Sequence, residues 1–427
     1  MRFAATFVVA LSCFVPACHP ASTASSAASA ETTAHEPAAV APPAGSAARV
    51  DAATLHASSI VVDTHDDVTQ RLVSGDADLG APLPEAQTDI PRMREGGLDA
   101  EFLSVWVPPM LYPGEKAYQR SLQELDAIDR TIAKNAAVAV LARSAEEVRA
   151  ASTAGKIAFL IGVEGGHGLG DASDDELLGR LRTLYDRGVR YMTLTWSNSN
   201  RLGGSSGDAG KEKGLTPFGE RVVHEMNDLG MVVDISHVSD KTFTDAVRLS
   251  RSPVLASHSS ARALSPHPRN MTDDMLRAVR DDGGAVCVNF GPEFLDEDYD
   301  AHWKAAQNSA GIGALVKAHA GDPDGAGKAI WEKLVLAANT LPKVPASKVI
   351  DHIEHVARVA GVEHTCLGSD FDGIPTGPVG LEDVSKFPFV TRELLARGFT
   401  PDDVRKILGE NVLRVLAANE RGRTPSQ

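Results

Sequence analysis

The 427-residue sequence predicts a (β/α)8 barrel of the TIM type. Three observations carry the prediction: short apolar runs recur along the chain beyond residue 50, amphipathic stretches separate them, and side chains able to bind metal fall at their C-terminal ends. The runs are SIVVDTH (59–65), AEFLSVWV (100–107), KIAFLIGVEG (156–165), RYMTLTW (190–196), GMVVDISH (230–237), SPVLASH (252–258), GAVCVNF (284–290) and HTCLGSDF (364–371). Continuous β-branched and aliphatic runs of this length read as strands covered on both faces.

Between them lie AYQRSLQELDAIDRTIAKN, DDELLGRLRTLYDRG, TPFGERVVHEMNDLG, SDKTFTDAVRLS and TDDMLRAVRDDG. Several open on Ser, Thr or Asp and close on Gly, the start and stop signals of helices. A doubly wound open sheet competes, but the strand count and the lack of a Gly-x-Gly-x-x-Gly turn after the first strand count against it. A long insertion, 293 to about 345, precedes the last strand, and RLGGSSGDAGKEKG follows the fourth; both suit lids or substrate walls. TRELLARG and TPDDVRKILGENVLRVLAAN read as closing helices, the second capped by Thr400 with Leu408, Val412, Leu413 and Val415 on its apolar side.

The net charge of −15, with no cluster of Lys and Arg, excludes a nucleic-acid surface. Residues 1–18 read as an export signal: Arg2 precedes the apolar FAATFVVALSCFV, too short to span a bilayer as a mature helix. Val15-Pro16-Ala17-Cys18 resembles a bacterial lipobox, which would anchor the exported chain in the cell envelope by lipid on Cys18; plain signal-peptidase cleavage is the alternative. Residues 19–50, rich in Ala, Ser, Thr and Pro, form a tether with too few large apolar groups to order, leaving 51–427 as the globular domain. Cys287 and Cys366 sit in apolar runs and read as buried free thiols, which would leave the exported domain without a disulfide.

Barrel enzymes place their chemistry at the C-terminal ends of the strands. Here His65 and Asp67 end the first strand, Glu164 the third, His237 the fifth, His258 the sixth and Asp370 the eighth. Alternation along an extended chain puts His65 and Asp67 on one side and turns Asp66 away, toward a solvated loop. Asp63 is read as supporting a ligand imidazole, and His167 as a support rather than a ligand. Glycines around Glu164 let the backbone approach a metal, and its carboxylate has two oxygens with which to bridge two ions. This mixture of nitrogen and oxygen donors favours zinc over magnesium, and a pair of ions would suit hydrolysis.

The stretches DTHDD, GVEGGH, DISHVSD, ASHSSARALSPHPRN and LGSDFDG, in this order and spacing, resemble the renal or membrane dipeptidase family, peptidase family M19, from about Ser59 to Ala417. The resemblance implies an amidohydrolase-like barrel with two zinc ions per subunit that cleaves dipeptides and tolerates a D-residue on the C-terminal side. It implies that His65 and Asp67 hold one zinc, that Glu164 bridges, and that His237 and His258 hold the other. Arg269 would face the substrate carboxylate and Asp370 would be the acid/base, with Asp372 its rival. Trp196 stands where mammalian members carry a substrate-contacting histidine and would wall the pocket instead. The implied partners are small dipeptides and a second copy of the chain, with membrane association only through the lipid anchor. Lactonases, deaminases and phosphotriesterases on the same barrel usually begin with His-x-His, and an inactive lipid-anchored binding protein would lack ligands; neither pattern is present.

Overall fold

The barrel is built as those runs require. In the computed structural model, which describes residues 50–423 apart from 74 and 76, the strands are β1 (Val62–Asp66), β2 (Ala100–Trp106), β3 (Ala139–Leu141), β4 (Ile157–Glu164), β5 (Val189–Thr193), β6 (Val232–Asp234), β7 (Leu255–Ala256), β8 (Ala285–Val288) and β9 (Thr365–Leu367). The predicted signal peptide, Cys18 and the tether up to residue 49 lie outside the described residues.

Parallel pairing runs β1-β2-β4-β5-β6-β7-β8-β9, and a parallel bridge between Asp66 and Phe371 joins the two ends of the sheet. β3 is an addition to the predicted set. It pairs with Ile157–Phe159 at the start of β4, below the point where β5 begins opposite Ile161. Three residues inside a long connection give too short an apolar period to be read as a strand.

Strand alternation sorts the core. Val62, Ala100, Phe102, Ala158, Leu160, Tyr191 and Val232 share one buried cluster with Val412, Leu413, Val415 and Leu416 of the final helix, Asn411–Gly422. Leu103, Val105, Phe159, Ile161 and Val163 belong to the cluster formed with the surrounding helices. The predicted closing helix starts at Thr400 in a full capping box with Asp403, but a π turn over Lys406–Glu410 interrupts it. At Gly409 in that turn a Cβ would lie 2.4 Å from the Ile60 carbonyl oxygen, so only glycine admits this approach to β1.

The reading of Cys287 and Cys366 as free thiols is corrected. They are register partners on β8 and β9, 4.0 Å apart at Cα, and form a disulfide. The insertion before β9 folds into helices Pro292–Leu295, Glu297–Ser309, Ile312–Ala318 and Pro323–Ala338. Among the described residues no helix is long and apolar enough to cross a membrane.

Candidate metal centre

β1 carries one residue more than β2 between Asp63 and Asp66, a bulge that re-aims the strand end at the barrel mouth. There the predicted ligands meet. One oxygen of Glu164 faces His65 Nε2 at 3.8 Å, while the other lies 2.7 Å from His237 Nε2 and 3.5 Å from His258 Nε2. Asp67 Oδ2 is 3.6 Å from His65 Nε2. Donor atoms of His65, Glu164 and His258 all lie within 4.8 Å of one another, as do those of His65, Asp67 and Asp370.

The hydrogen bonds behind two of the imidazoles leave bare nitrogens facing this space. Tyr191 OH donates to the Thr64 carbonyl at 3.0 Å and lies 2.8 Å from His65 Nδ1, so Nδ1 carries a proton and Nε2 is the position that is bare when the ring is neutral. Ser257 Oγ likewise donates to Asp234 Oδ2 at 2.7 Å and accepts from His258 Nδ1 at 2.8 Å. Asp234 is in turn fixed by the backbone N–H groups of Ser236 and Ser257 and the hydroxyl of Thr193. His237 Nε2 and His258 Nε2 stand 3.0 Å apart. Two bare lone pairs at that separation would repel, so either a proton on one nitrogen or a cation must lie with them.

The electrostatics agree. Burial, and then the Arg269 charge, holds His237 well below the usual imidazole range; burial, with His65 and Arg269, does the same for His258, leaving both in the neutral ligating form. Burial opposes charge on His65, but Glu164, Asp67 and Asp370 outweigh it and raise it to about 10, so these carboxylates favour positive charge at Nε2, either a proton or a cation in its place. Burial and the Asp67 charge push Glu164 well up. His65 Nε2 and Asp67 Oδ1 are buried without hydrogen-bond partners. This donor set therefore fits metal: it gathers carboxylate charge, neutral imidazoles and unpartnered atoms in one place.

Asp370 sits in the left-handed region (φ 66), and burial raises its carboxyl to about 6. Asn289 Nδ2 donates to its Oδ2 at 2.8 Å. At Gly373 a Cβ would fall 2.2 Å from Asp67 Oδ2 and 2.5 Å from Asp370 Oδ1, so this glycine makes room for both carboxylates. Arg269, buried, donates to the His258 carbonyl at 3.1 Å and Ser259 Oγ at 3.4 Å, lies over Phe294 at 5.4 Å, and keeps its Nε unpartnered. Trp196 packs 4.9 Å from Trp106 and 6.3 Å from the His237 ring.

Other expectations change. Asp63 does not hold a ligand imidazole: its Oδ1 accepts the Ser369 N–H at 2.7 Å, tying β1 to the turn after β9, and Tyr191 supports His65 instead. Asp66 points away from the ligands as expected but is fully buried, accepting from Val68 N and Thr88 Oγ1, because the segment around Thr88 covers it. His167 Nε2 bonds the Val107 carbonyl at 2.8 Å, fastening the loop after β4 to the end of β2. Asp372 is bound by Arg71 at 2.7 Å and by the N–H groups of Gln87 and Thr88, which removes it as a rival to Asp370. Sequence reasoning missed Tyr191, Asp234, Ser257, Asn289 and Gly373. Only Gly373, inside LGSDFDG, stood in a stretch already singled out for the acid/base.

The chain matches the family described as membrane dipeptidase (peptidase family M19) over residues 49–427. Among solved structures it is similar to dipeptidase AC, a metallo peptidase of family M19, at 27% sequence identity and a TM-score of 0.68, covering 84% of this chain and 98% of that one. The probable dipeptidase PvdM from Pseudomonas aeruginosa is 25% identical with a TM-score of 0.73, over 87% of this chain and 98% of that one. A metallo peptidase from Rhodobacter sphaeroides, liganded with a phosphinate mimic of the dipeptide L-Ala-D-Ala, is 26% identical with a TM-score of 0.67, over 84% and 99%.

Proposed function

The chain belongs to the membrane dipeptidase family, peptidase family M19, and from that premise we propose that it is an exported zinc dipeptidase using two metal ions. The observation that carries the reading is Glu164, whose two oxygens face His65 on one side and His237 with His258 on the other. In this reading His65 and Asp67 hold one zinc, His237 and His258 the other, and Glu164 bridges them. Bound there, the metals would supply Lewis-acid polarisation of the scissile carbonyl and acidify the attacking water.

The remaining work falls to the chain's own side chains. Asp370 takes the proton of the attacking water and passes it to the leaving amine, a task suited to a carboxyl raised to about 6. Arg269, with its unpartnered Nε, receives the free carboxylate of the dipeptide. Trp196 and Trp106 wall the mouth. Tolerance of a C-terminal D-residue is supported by the Rhodobacter sphaeroides relative, which was solved with a mimic of L-Ala-D-Ala. Export is supported by the Cys287–Cys366 disulfide, a cross-link favoured outside the reducing cytosol; lipidation at Cys18 is proposed from the lipobox alone.

The test is metal analysis of purified residues 51–427 beside turnover of a panel of L,L and L,D dipeptides. Two zinc equivalents and release of free amino acids are expected. No metal, or metal without peptide turnover, overturns the reading.

A further inference from the structure

We infer that Asn289 is a positioning residue that fixes which oxygen of Asp370 carries the proton; the inference rests on the acid/base role proposed above. Asn289 follows β8 directly and is buried. Its Nδ2 donates to Asp370 Oδ2 at 2.8 Å, and its Oδ1 accepts the Gly291 N–H at 2.5 Å. That second bond sets the amide's orientation, because a flipped amide would turn its NH2 group toward the Gly291 N–H and its oxygen toward a carboxylate. The Asn289 carbonyl accepts Ser260 Oγ at 3.2 Å, which ties the same residue to the loop after β7.

Asp370 Oδ2 is thereby committed to Asn289. Oδ1 faces the other way, toward Asp67, since both Oδ1 and Asp67 Oδ2 lie within 2.5 Å of the point where a Gly373 Cβ would sit. The two strands carrying this pair are joined by the Cys287–Cys366 disulfide, upstream of Asn289 and Asp370. In the reaction the water oxygen bonds to the carbonyl carbon as its O–H bond breaks and the C=O π pair moves onto the carbonyl oxygen, and the proton passes to Oδ1. It then moves to the amide nitrogen as that pair returns and the C–N bond breaks, giving the free acid and amine. A carboxylate held in one orientation keeps Oδ1 at the reacting atoms, where a freely rotating one would present it for only part of the time.

The test is Asn289→Leu, of similar size and without a donor, made in wild-type and Asp370→Asn backgrounds of the zinc-loaded enzyme. Expected in the wild-type background is a fall in kcat of about tenfold or more, with KM within about twofold and zinc content unchanged. In the Asp370→Asn background the same substitution should cost less than about twofold, because the group it positions is already gone. An equal loss in both backgrounds, a loss confined to KM, or a loss of zinc overturns the inference. Should Asn289→Leu fail to fold, Asn289→Ser, too short to reach Asp370, carries the same comparison. If Asp370→Asn itself hydrolyses dipeptides normally, the acid/base assignment fails and this inference falls with it.

Discussion

Two groups of buried carboxylates draw most of their members from the same two stretches of chain, 63–67 and 369–373. Asp67, Glu164 and Asp370 gather at the barrel mouth, while Asp63, Asp66, Glu101 and Asp372 lie behind β1. Asp63 and Glu101 are register partners on the strand face opposite the inward-facing Val62 and Ala100. At the mouth, histidines converge with the acids; unpartnered donor atoms occur in both groups, His65 Nε2 and Asp67 Oδ1 here, Asp63 Oδ2 and both Glu101 oxygens behind β1. Behind β1 there is no histidine in the group. Most of its oxygens are taken by the N–H groups of Ser369, Val68, Gln87 and Thr88, the Thr88 hydroxyl and Arg71, and among the described residues no three of its acids converge. Burial of carboxyl groups is thus common to both; convergence with neutral nitrogen separates the candidate metal centre from a structural brace. In DTHDD and SDFDG neighbouring residues serve the two groups in turn, so the brace holds the strand ends that aim the ligands.

Substitutions that respect this division should separate activity from stability. The largest effect is expected from Asp370→Asn: kcat should fall by about 10²- to 10⁴-fold with metal content unchanged from wild type, read by steady-state kinetics beside metal analysis. Stripping the metal with a chelator should abolish turnover and lower the unfolding temperature, and added zinc should restore both. A fully active Asp370→Asn would overturn the acid/base assignment, and turnover that survives metal removal would mean that the mouth is a second brace. Asp372→Asn is the mirror experiment. It breaks a pair in which the aspartate is fully buried and Arg71 is 24% exposed, so a cost of about 2 to 3 kcal/mol is expected, toward the lower side of what losing one partner of a buried pair costs. Denaturant unfolding should register the loss while metal content holds. Arg269→Lys should weaken dipeptides with a free carboxylate by about tenfold in KM, since a point charge replaces a planar fork; an equal loss on carboxyl-amidated substrates would contradict the contact.

The mouth was largely legible in the sequence because its ligands end strands, and apolar runs with polar ends mark those positions. His65, Asp67, Glu164, His237, His258 and Asp370 stood out by strand count and strand-end position, while their pairing and the choice of Asp370 over Asp372 came from the motif resemblance. What could not be read depends on register between strands distant in sequence. Tyr191 reaches His65 across the barrel interior, Ser257 links Asp234 to His258, and Cys287 meets Cys366 only because β8 and β9 pair with those two residues opposite. Asp63 was misassigned because its reading rested on the general habit of strand-end carboxylates, while its partner is the Ser369 N–H; Asp66, rightly turned away from the ligands, was misread as solvated because nothing local announces that the segment around Thr88 folds over it.

The smallest effect concerns Glu101 and bears on why the brace tolerates so many acids. Both of its oxygens are buried without a partner. Burial, and then the charges of Asp63 and Asp66, raises its carboxyl well above the usual range. The folded state therefore holds a proton on Glu101 at pH values where the unfolded chain has released it. The stabilisation is fully present below the ordinary carboxylate value of 4.5 and is lost as pH rises toward the folded value. Glu101→Gln keeps the shape of the protonated acid and removes its titration. Its stability relative to wild type should climb as pH rises from 5 to 8, followed by chemical denaturation of the zinc-loaded enzyme, with kcat equal to that of wild type at each pH. A gap that stays constant over this range would mean that Glu101 is ionised in the fold, and that the group behind β1 is a charged site after all.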